Sequence, residues 1–416
     1  MGRKNRMPGT LKVVLVLAVI IVLIRFRVRL SITLLGASIA LGLFFHLTPT
    51  QIAQGFYTGA LDPETLKLTA AMLLVLFFSA IMKETGNMSR SISSLRAVFR
   101  DARVTMGLIP AIIGLLPVTG GAILSAPLVA EASDDLRLSP EQRTFLNFWF
   151  RHVWEYTLPT FPFILLTSVI VGLPVADLCL VNLPLTIASI AGGIFFGFRG
   201  IKAHMPSQGP LTPGQIFKKI SSFFINLLPF FLVIFLTLFY KIHLAYSISL
   251  ATAGMILIYR IPLPVLHKLG KTSLSLEIAV LLLAIMIFKQ ILVASGAMHS
   301  MAGELSQMGM PPVLLVILLP ALIGFITGYS PALGGLSLPV LLPFIQSSNV
   351  GTFYVMLAVA SGLSAHLLSP MHACLVMTLE YYKANIEKTY RLLFAPVAVV
   401  FLTGVIVFLL AYGFKR

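Results

Sequence analysis

The amino-acid sequence predicts an all-α membrane protein of about ten transmembrane helices plus two re-entrant helical hairpins, arranged as two inverted-topology repeats. Three observations carry that expectation. The chain has 416 residues, 58% of them hydrophobic and 11% charged, with a mean hydropathy of +0.97, whereas soluble domains carry roughly 25% charged residues. Apolar runs approaching the ~20 residues that cross a bilayer recur from Val13 to Leu410. Finally, the second half repeats the first in hydropathy and in residues.

Residues 1–29 have a basic head and an apolar run closing on Arg25, Arg27 and Arg29 without a small-residue cleavage site, which reads as an uncleaved first helix. In the first repeat, residues 1–197, spans are expected near 12–24, 28–46 and 67–83, followed by an interrupted stretch at 103–131 and spans near 146–172 and 176–197. Residues 198–220, with Arg199, Lys202, Lys218 and Lys219, read as a cytoplasmic linker. The second repeat, 221–416, has spans near 221–240, 243–259 and 274–294, an interrupted stretch at 311–346, and spans near 350–379 and 389–412.

The repetition is visible residue by residue. Thr85-Gly86-Asn87-Met88 matches Ser295-Gly296-Ala297-Met298, and Ile109-Pro110-Ala111-Ile112-Ile113-Gly114 matches Leu319-Pro320-Ala321-Leu322-Ile323-Gly324 at the same offset. One residue of slippage later, Leu158-Pro159 falls on Ser369-Pro370. Five full spans per half, with an interrupted stretch that returns to its own side, force the halves into opposite orientations. The net charge of +16 sits in short clusters between apolar runs, the pattern of retained cytoplasmic loops, and this argues against nucleic-acid binding. With residues 25–29, 83–103, 132–145, 198–220, 260–273 and 380–391 inside, most Lys and Arg are inside and both termini outside. Arg3, Lys4, Arg6 and Lys12 run against that rule. Cys179 and Cys374 lie in apolar stretches without metal-ligand spacing and read as small core residues, so neither a disulfide framework nor a zinc site is expected.

In the first interrupted stretch, arms 104–117 and 122–131 meet at Pro117-Val118-Thr119-Gly120-Gly121. In the second, arms near 311–327 and 332–346 meet at Thr327-Gly328-Tyr329-Ser330-Pro331, followed by Gly334-Gly335-Leu336-Ser337. The arms of the first are too short for a ~30 Å hydrocarbon core at ~1.5 Å per residue. Non-helical backbone at such depth is tolerated only where protein or a watery cavity satisfies it, so two tips predict a polar site between them. There Gly120, Gly121 and Gly335 would let a ligand approach, helix N-termini would attract an anion and freed carbonyls suit Na⁺. Thr119, Ser125, Thr327, Ser330 and Ser337 would add hydroxyls. The blander alternative is that Gly and Pro merely kink ordinary spans and the hydroxyls bond back to their own helices.

After each hairpin comes a proline-broken span: Thr157-Leu158-Pro159-Thr160-Phe161-Pro162 and Leu368-Ser369-Pro370-Met371-His372. The first is preceded by Asn147-Phe148-Trp149-Phe150-Arg151-His152-Val153-Trp154-Glu155, in which Arg151 and Glu155, four apart, are expected to share one helix face. Charges inside spans are functional or paired. Glu155 is a candidate for a coupling ion or proton, and Arg151 either neutralises it or meets substrate charge. His366, which takes the repeat position of Glu155, joins His152 and His372 as candidates for a proton relay, against the alternative of ordinary buried histidines. Lys289 and Gln290 have no obvious partner in sequence.

Together, Pro117-Val118-Thr119-Gly120-Gly121-Ala122, Asn147 through Glu155, the run around Gly328-Tyr329 and Ser369-Pro370-Met371-His372 resemble domain-of-unknown-function family 401. These are prokaryotic integral membrane proteins grouped with the ion-transporter superfamily of gluconate, citrate and divalent-anion carriers. The resemblance covers nearly the whole chain. It implies a homodimeric, elevator-type transporter of the cell inner membrane, whose hairpins and broken helices carry substrate past a fixed scaffold. Divalent-anion carriers bear Ser-Asn-Thr at both tips. Here the tips read Thr119-Gly120-Gly121 and Tyr329-Ser330-Pro331, so neither substrate nor coupling ion is carried over.

The expected function is secondary active transport of a small anionic organic solute coupled to Na⁺ or H⁺, with no further cofactor and with the solute and the lipid bilayer as partners. No Walker motif supplies another energy source; Gly270-Lys271-Thr272 comes near, with Val265 where the first glycine belongs. The alternative within transport is a cation/proton antiporter. An intramembrane enzyme is the remote alternative: no His-Glu-x-x-His occurs, Asp134-Asp135 lies in a loop, and nothing in sequence brings Ser330 to His366.

Overall fold

The computed structural model describes residues 7–99, 101–116, 121–134, 136–201 and 211–414. Among the described residues the chain is built from helices and turns, with no strand. Among the described residues, five helices are long and apolar enough to cross a membrane: Pro63–Glu84, Val175–Gly197, Pro213–Leu238, Leu276–Ala294 and Ile386–Phe414. Shorter apolar helices, among them Leu30–Phe44, Leu244–Tyr259 and Gly351–Leu367, fill the rest of the bundle.

Local chemistry sets many of the ends. Pro49–Leu61, Pro140–His152 and Pro213–Leu238 each begin with a capping box and proline in the first turn: Thr48 with Gln51, Ser139 with Gln142, and Thr212 with Gln215. The Ser or Thr hydroxyl accepts from the third backbone N–H while the Gln side chain takes the cap's own N–H, satisfying two otherwise orphaned donors. The last of these helices begins at Pro213, within the stretch read as linker; residues 202–210 of that stretch lie outside the described residues.

Two stretches expected as loops are partly helical. Asn87–Val98 lies within 83–103, and Leu263–Ser273 occupies most of 260–273. Two more polar helices, Pro49–Leu61 and Ala297–Gln307, fill gaps between expected spans. All four are short and amphipathic, so a hydropathy window averages their apolar stripe with polar residues and misses them. Asn87–Val98 and Ala297–Gln307 start alike, each after a left-handed glycine, Gly86 (φ 73°) and Gly296 (φ 67°).

The helices pack as two groups. In the first, Leu276–Ala294 rests on Leu30–Phe44 and Pro49–Leu61, while Pro63–Glu84 rests on Leu244–Tyr259 and Leu263–Ser273. Asn87–Val98 packs on Pro213–Leu238, and Ala297–Gln307 on Gly9–Arg25. In the second group, Ala102–Gly114 packs on Gly121–Ala132 and Pro140–His152, Pro312–Thr327 on Ser330–Gln346 and Gly351–Leu367, and Leu183–Gly197 on Ile386–Phe414. Two of these contacts bring backbone against backbone through glycine. A Cβ at Gly114 would strike the carbonyl of Arg151, and one at Gly324 the carbonyl of Gly362. Lys289, without a visible partner in sequence, donates from Nζ to the Val169 carbonyl at 3.1 Å.

The expected spans at 146–172 and 350–379 are both broken. Pro140–His152 is followed by turns through Pro159 and a new helix, Pro162–Val171, while Gly351–Leu367 gives way at Leu368–His372 to Ala373–Tyr382.

Candidate functional site

The two broken helices present their polar residues to each other. Arg151 and His152 close the Pro140–His152 helix, and Glu155 follows in the turn rather than continuing one helical face with Arg151, as the sequence spacing had implied. From the other half, His366 ends Gly351–Leu367, His372 precedes Ala373–Tyr382, and Cys374 stands in its first turn. Arg151, His152, Glu155, His366 and His372 are all less than a tenth exposed.

Their geometry is compact. Glu155 lies between two imidazoles, with His152 Nε2 4.0 Å from Oε1 and His366 Nε2 3.9 Å from Oε2. His366 stacks on His372 at 4.1 Å between centroids, and His372 meets His152 edge-on at 4.8 Å. Phe148 seals the back, packing on both His152 and His372. His152 Nδ1 lies 2.6 Å from the Phe148 carbonyl, and His372 Nδ1 lies 3.2 Å from the His366 carbonyl. A carbonyl only accepts, so each Nδ1 carries a proton, and in the neutral ring each Nε2 keeps its lone pair.

Several ties hold this arrangement. Asn147 Nδ2 donates to the Ala122 carbonyl at 3.0 Å and to Thr378 Oγ1 at 3.4 Å, linking the Gly121–Ala132 arm to the second broken helix. Tyr382 adds a 2.6 Å bond to the Ala126 carbonyl. Trp154 Nε1 donates to the Ala111 carbonyl and Trp149 Nε1 to the Ser189 carbonyl, both at 2.9 Å. Gly121 faces the Arg151 guanidinium so closely that a Cβ there would overlap it, and that guanidinium also lies beside the Cys374 side chain.

These groups line a cavity of about 620 Å³ between the two helix groups. One wall carries Arg151, His152, Glu155, His366, His372 and Cys374 together with the Gly328–Pro331 turn. Ser31, Met72, Ser275 and Glu277 form the facing wall from the first group. Gly328 adopts φ 57°, and a side chain there would collide with the backbone at Met371 and His372, so glycine is required where the turn meets the second break.

Of the residues picked from sequence, Arg151, His152, Glu155, His366, His372 and Ser330 line this cavity. Thr119 and Gly120 lie outside the described residues. Several others are placed elsewhere. Ser125 bonds back to the Gly121 carbonyl at 3.1 Å, Thr327 to Ile323 at 2.7 Å and Ser337 to Leu333 at 2.5 Å. A hydroxyl in a helix finds the carbonyl four residues back unless something better competes. Gly335 packs against the Ile285 side chain. Thr157 pairs with Thr186 at 2.9 Å, and Thr160 reaches the Leu115 carbonyl at 3.5 Å. Pro159 and Pro370 belong to the breaks, and Ser369 Oγ accepts from the Met371 N–H at 3.2 Å. Cys374, expected in the core, is half-buried on the cavity wall. The sequence signal for it was its place two residues after His372, directly beyond a proline break.

A helical bundle with long apolar helices, and with two broken helices that bring buried ionisable side chains to one cavity, is a multi-pass membrane protein with a transporter-type fold. A solved structure, that of the YdaH transporter of Alcanivorax borkumensis, described as having an unusual topology, matches with a TM-score of 0.58 over 88% of this chain and 88% of that one. Sequence identity is 15%, so the likeness is one of fold. The chain belongs to the family described as "Protein of unknown function (DUF401)", which matches residues 10–411. No curated protein matches it.

Proposed function

We propose that this protein is a secondary active transporter of a small anionic organic solute, coupled to Na⁺ or H⁺, in the cell inner membrane. One observation carries the reading: both broken helices deliver their ionisable side chains, Arg151 included, to one cavity of about 620 Å³, within the ~300–1,000 Å³ range of small-molecule sites. Arg151 is the group for the anion, because guanidinium binds carboxylate or phosphonate through paired hydrogen bonds. Its neighbours His152, Glu155, His366 and His372 supply polar contacts and charge balance.

The halves act as two inverted repeats. Support comes from the exchange of partners: Leu30–Phe44 packs on Leu276–Ala294 as Leu244–Tyr259 packs on Pro63–Glu84. The close approaches of Gly114 to Arg151 and of Gly324 to Gly362 stand in the same relation. Ala102–Gly114 with Gly121–Ala132, and Pro312–Thr327 with Ser330–Gln346, serve as re-entrant hairpins, their arms of 12 to 17 residues reaching roughly 18–26 Å. An elevator mechanism follows, with the second helix group moving against the first, and a homodimer holds the scaffold still. The position of the cavity between the groups supports that division of labour.

A second reading, cation/proton antiport, draws on Glu155, which sits between two histidines with no organic solute needed to balance it. A melting-point screen of the purified protein separates the two, using small carboxylates, phosphonates and neutral controls in Na⁺ and in choline at two pH values. A ligand at ~100 times its Kd stabilises the folded state by about 2.7 kcal/mol. The transporter reading expects one anion to raise the melting point and Arg151→Gln to abolish that rise. If only Na⁺ or pH moves the melting point, the antiporter replaces it.

A further inference from the structure

The cavity wall also carries a constellation of donors whose thiol the organic-anion reading leaves unused. His152, His372 and Cys374 bring one ligand atom each to within 4.8 Å of one another. They come from two helices in different halves of the chain, and all three line the cavity. We propose that these residues bind a soft-to-borderline divalent transition-metal ion, Zn²⁺ above all, independently of any organic solute.

The second shell is what sets this cluster apart from a chance gathering of buried residues. Metal-bound histidines donate their other ring N–H to a carbonyl or carboxylate, which fixes the tautomer and the ring orientation. Both histidines here are held in that way, His152 Nδ1 by the Phe148 carbonyl at 2.6 Å and His372 Nδ1 by the His366 carbonyl at 3.2 Å. Each Nε2 is thereby left as a lone-pair donor. Imidazole nitrogen and thiolate sulfur are the donors that Zn²⁺ and its neighbours prefer, whereas Mg²⁺ and Ca²⁺ take oxygen.

The distances allow ligation with small adjustments. Tetrahedral Zn²⁺, with bonds of ~2.0–2.3 Å, sets its ligand atoms roughly 3.4–3.8 Å apart. The observed spread of up to 4.8 Å closes by movements of about 1 Å, within the range of side-chain rotation. Three protein ligands leave a fourth position, as in zinc sites that exchange a ligand. The Glu155 carboxylate, 4.0 Å from His152 Nε2, stands close enough to occupy it or to balance its charge. Arg151 lies beside Cys374 and its charge opposes the cation, so metal binding requires the guanidinium to withdraw from the sulfur. Thiolate and carboxylate together offset the two charges of the metal.

The test uses the full chain, purified in detergent, stripped with EDTA and titrated with Co²⁺ and then Zn²⁺. One Co²⁺ per chain is expected, with the visible bands of a tetrahedral ion and a sulfur-to-cobalt charge-transfer band in the near ultraviolet, both bleached by Zn²⁺. Cys374→Ser should remove the charge-transfer band. His372→Ala should weaken Zn²⁺ binding by at least the ~10–100-fold that loss of an outer-shell partner alone costs. Absence of the charge-transfer band in wild type overturns the site, as does a band that survives Cys374→Ser. If His372→Ala aggregates on size exclusion, the sulfur band of the nearly isosteric Cys374→Ser decides alone. None of these readouts involves transport, so the metal site and the transport reading fail separately.

Discussion

Gly114 and Gly121 both approach Arg151, one against its backbone and the other against its side chain, and alanine at the two positions should fail in different ways. At Gly114 an added Cβ would stand 3.0 Å from the Arg151 carbonyl carbon, 3.1 Å from its Cα and closer still to its oxygen. Backbone atoms cannot rotate aside, so Ala102–Gly114 must lift from Pro140–His152. Overpacking of this kind costs about 1–3 kcal/mol, more than the ~0.5–1 kcal/mol that alanine returns in helix propensity. At Gly121 the Cβ would lie 2.5 Å from Cζ and 2.6 Å from Nη2 of Arg151. A normal contact is about 3.5–4 Å, so the guanidinium must retreat by about 1 Å, which a flexible side chain does cheaply. Gly121→Ala should therefore melt with the wild type but bind poorly. Losing one charge-assisted hydrogen bond costs about 1.5–3 kcal/mol, or roughly 10–150-fold in Kd. The assay is melting in detergent, alone and across a titration with the anion that stabilises wild type. Wild-type affinity in Gly121→Ala would refute the role given to Arg151, and wild-type melting in Gly114→Ala would refute the backbone contact.

Two further predictions concern the frame. Glu304 caps the Gly9–Arg25 helix across the fold, accepting from the Gly9 N–H at 2.6 Å and the Thr10 N–H at 2.8 Å. Burial raises its pKa, but the hydrogen bonds from Thr10, Gly9 and Ser300 outweigh burial and leave it lowered. Its contribution is thus present above the unfolded value of ~4.3 and is lost as pH falls through the folded one. Glu304→Ala should cost about 0.5–2 kcal/mol at neutral pH and less in acid, and melting curves giving equal losses at both pH values would contradict the cap. The inverted repeat is tested by single cysteines at the exposed positions Ser89 and His299, in a background without Cys179 and Cys374. An impermeant thiol reagent on oriented vesicles should reach one of them from each side; labelling both from the same side rules the inversion out.

Much of the fold was legible because hydropathy and proline act locally. Apolar runs marked the long helices, and Pro159 and Pro370 marked the two breaks, since a missing N–H and a clash with the preceding turn operate wherever they occur. Three helix starts were equally readable in Thr48-Pro49-Thr50-Gln51, Ser139-Pro140-Glu141-Gln142 and Thr212-Pro213-Gly214-Gln215, yet a search for membrane spans passes over them. The site was legible only in part, for the same reason inverted. Charge in an apolar run is costly wherever it falls, so Arg151, Glu155 and the histidines stood out. A hydroxyl in such a run is cheap, because the helix itself supplies an acceptor, so Ser125, Thr327 and Ser337 carried no such signal. Cys374 stood out only by its place two residues after His372, and spacing could not join it to His152, which lies in the other half of the chain.

The pairing of Glu155 with His366 gives the two-repeat reading its chemical content. These residues occupy the same repeat position, and in three dimensions their side chains approach to 3.9 Å. Under the proposed inverted repeat, a pseudo-two-fold axis brings equivalent positions together only where it passes between them, which would run the axis through the cavity wall. A perfectly symmetric pair there would be two carboxylates or two imidazoles, and like groups at such a distance repel when charged. Under the proposed repeat, an acid on one side and a base on the other would remove that repulsion while keeping both groups ionisable. The same proposed repeat gives Arg151 the counterpart Gly362, the glycine whose carbonyl meets Gly324. The first half thus brings the fixed positive charge, and the second brings two of the three histidines and the cysteine.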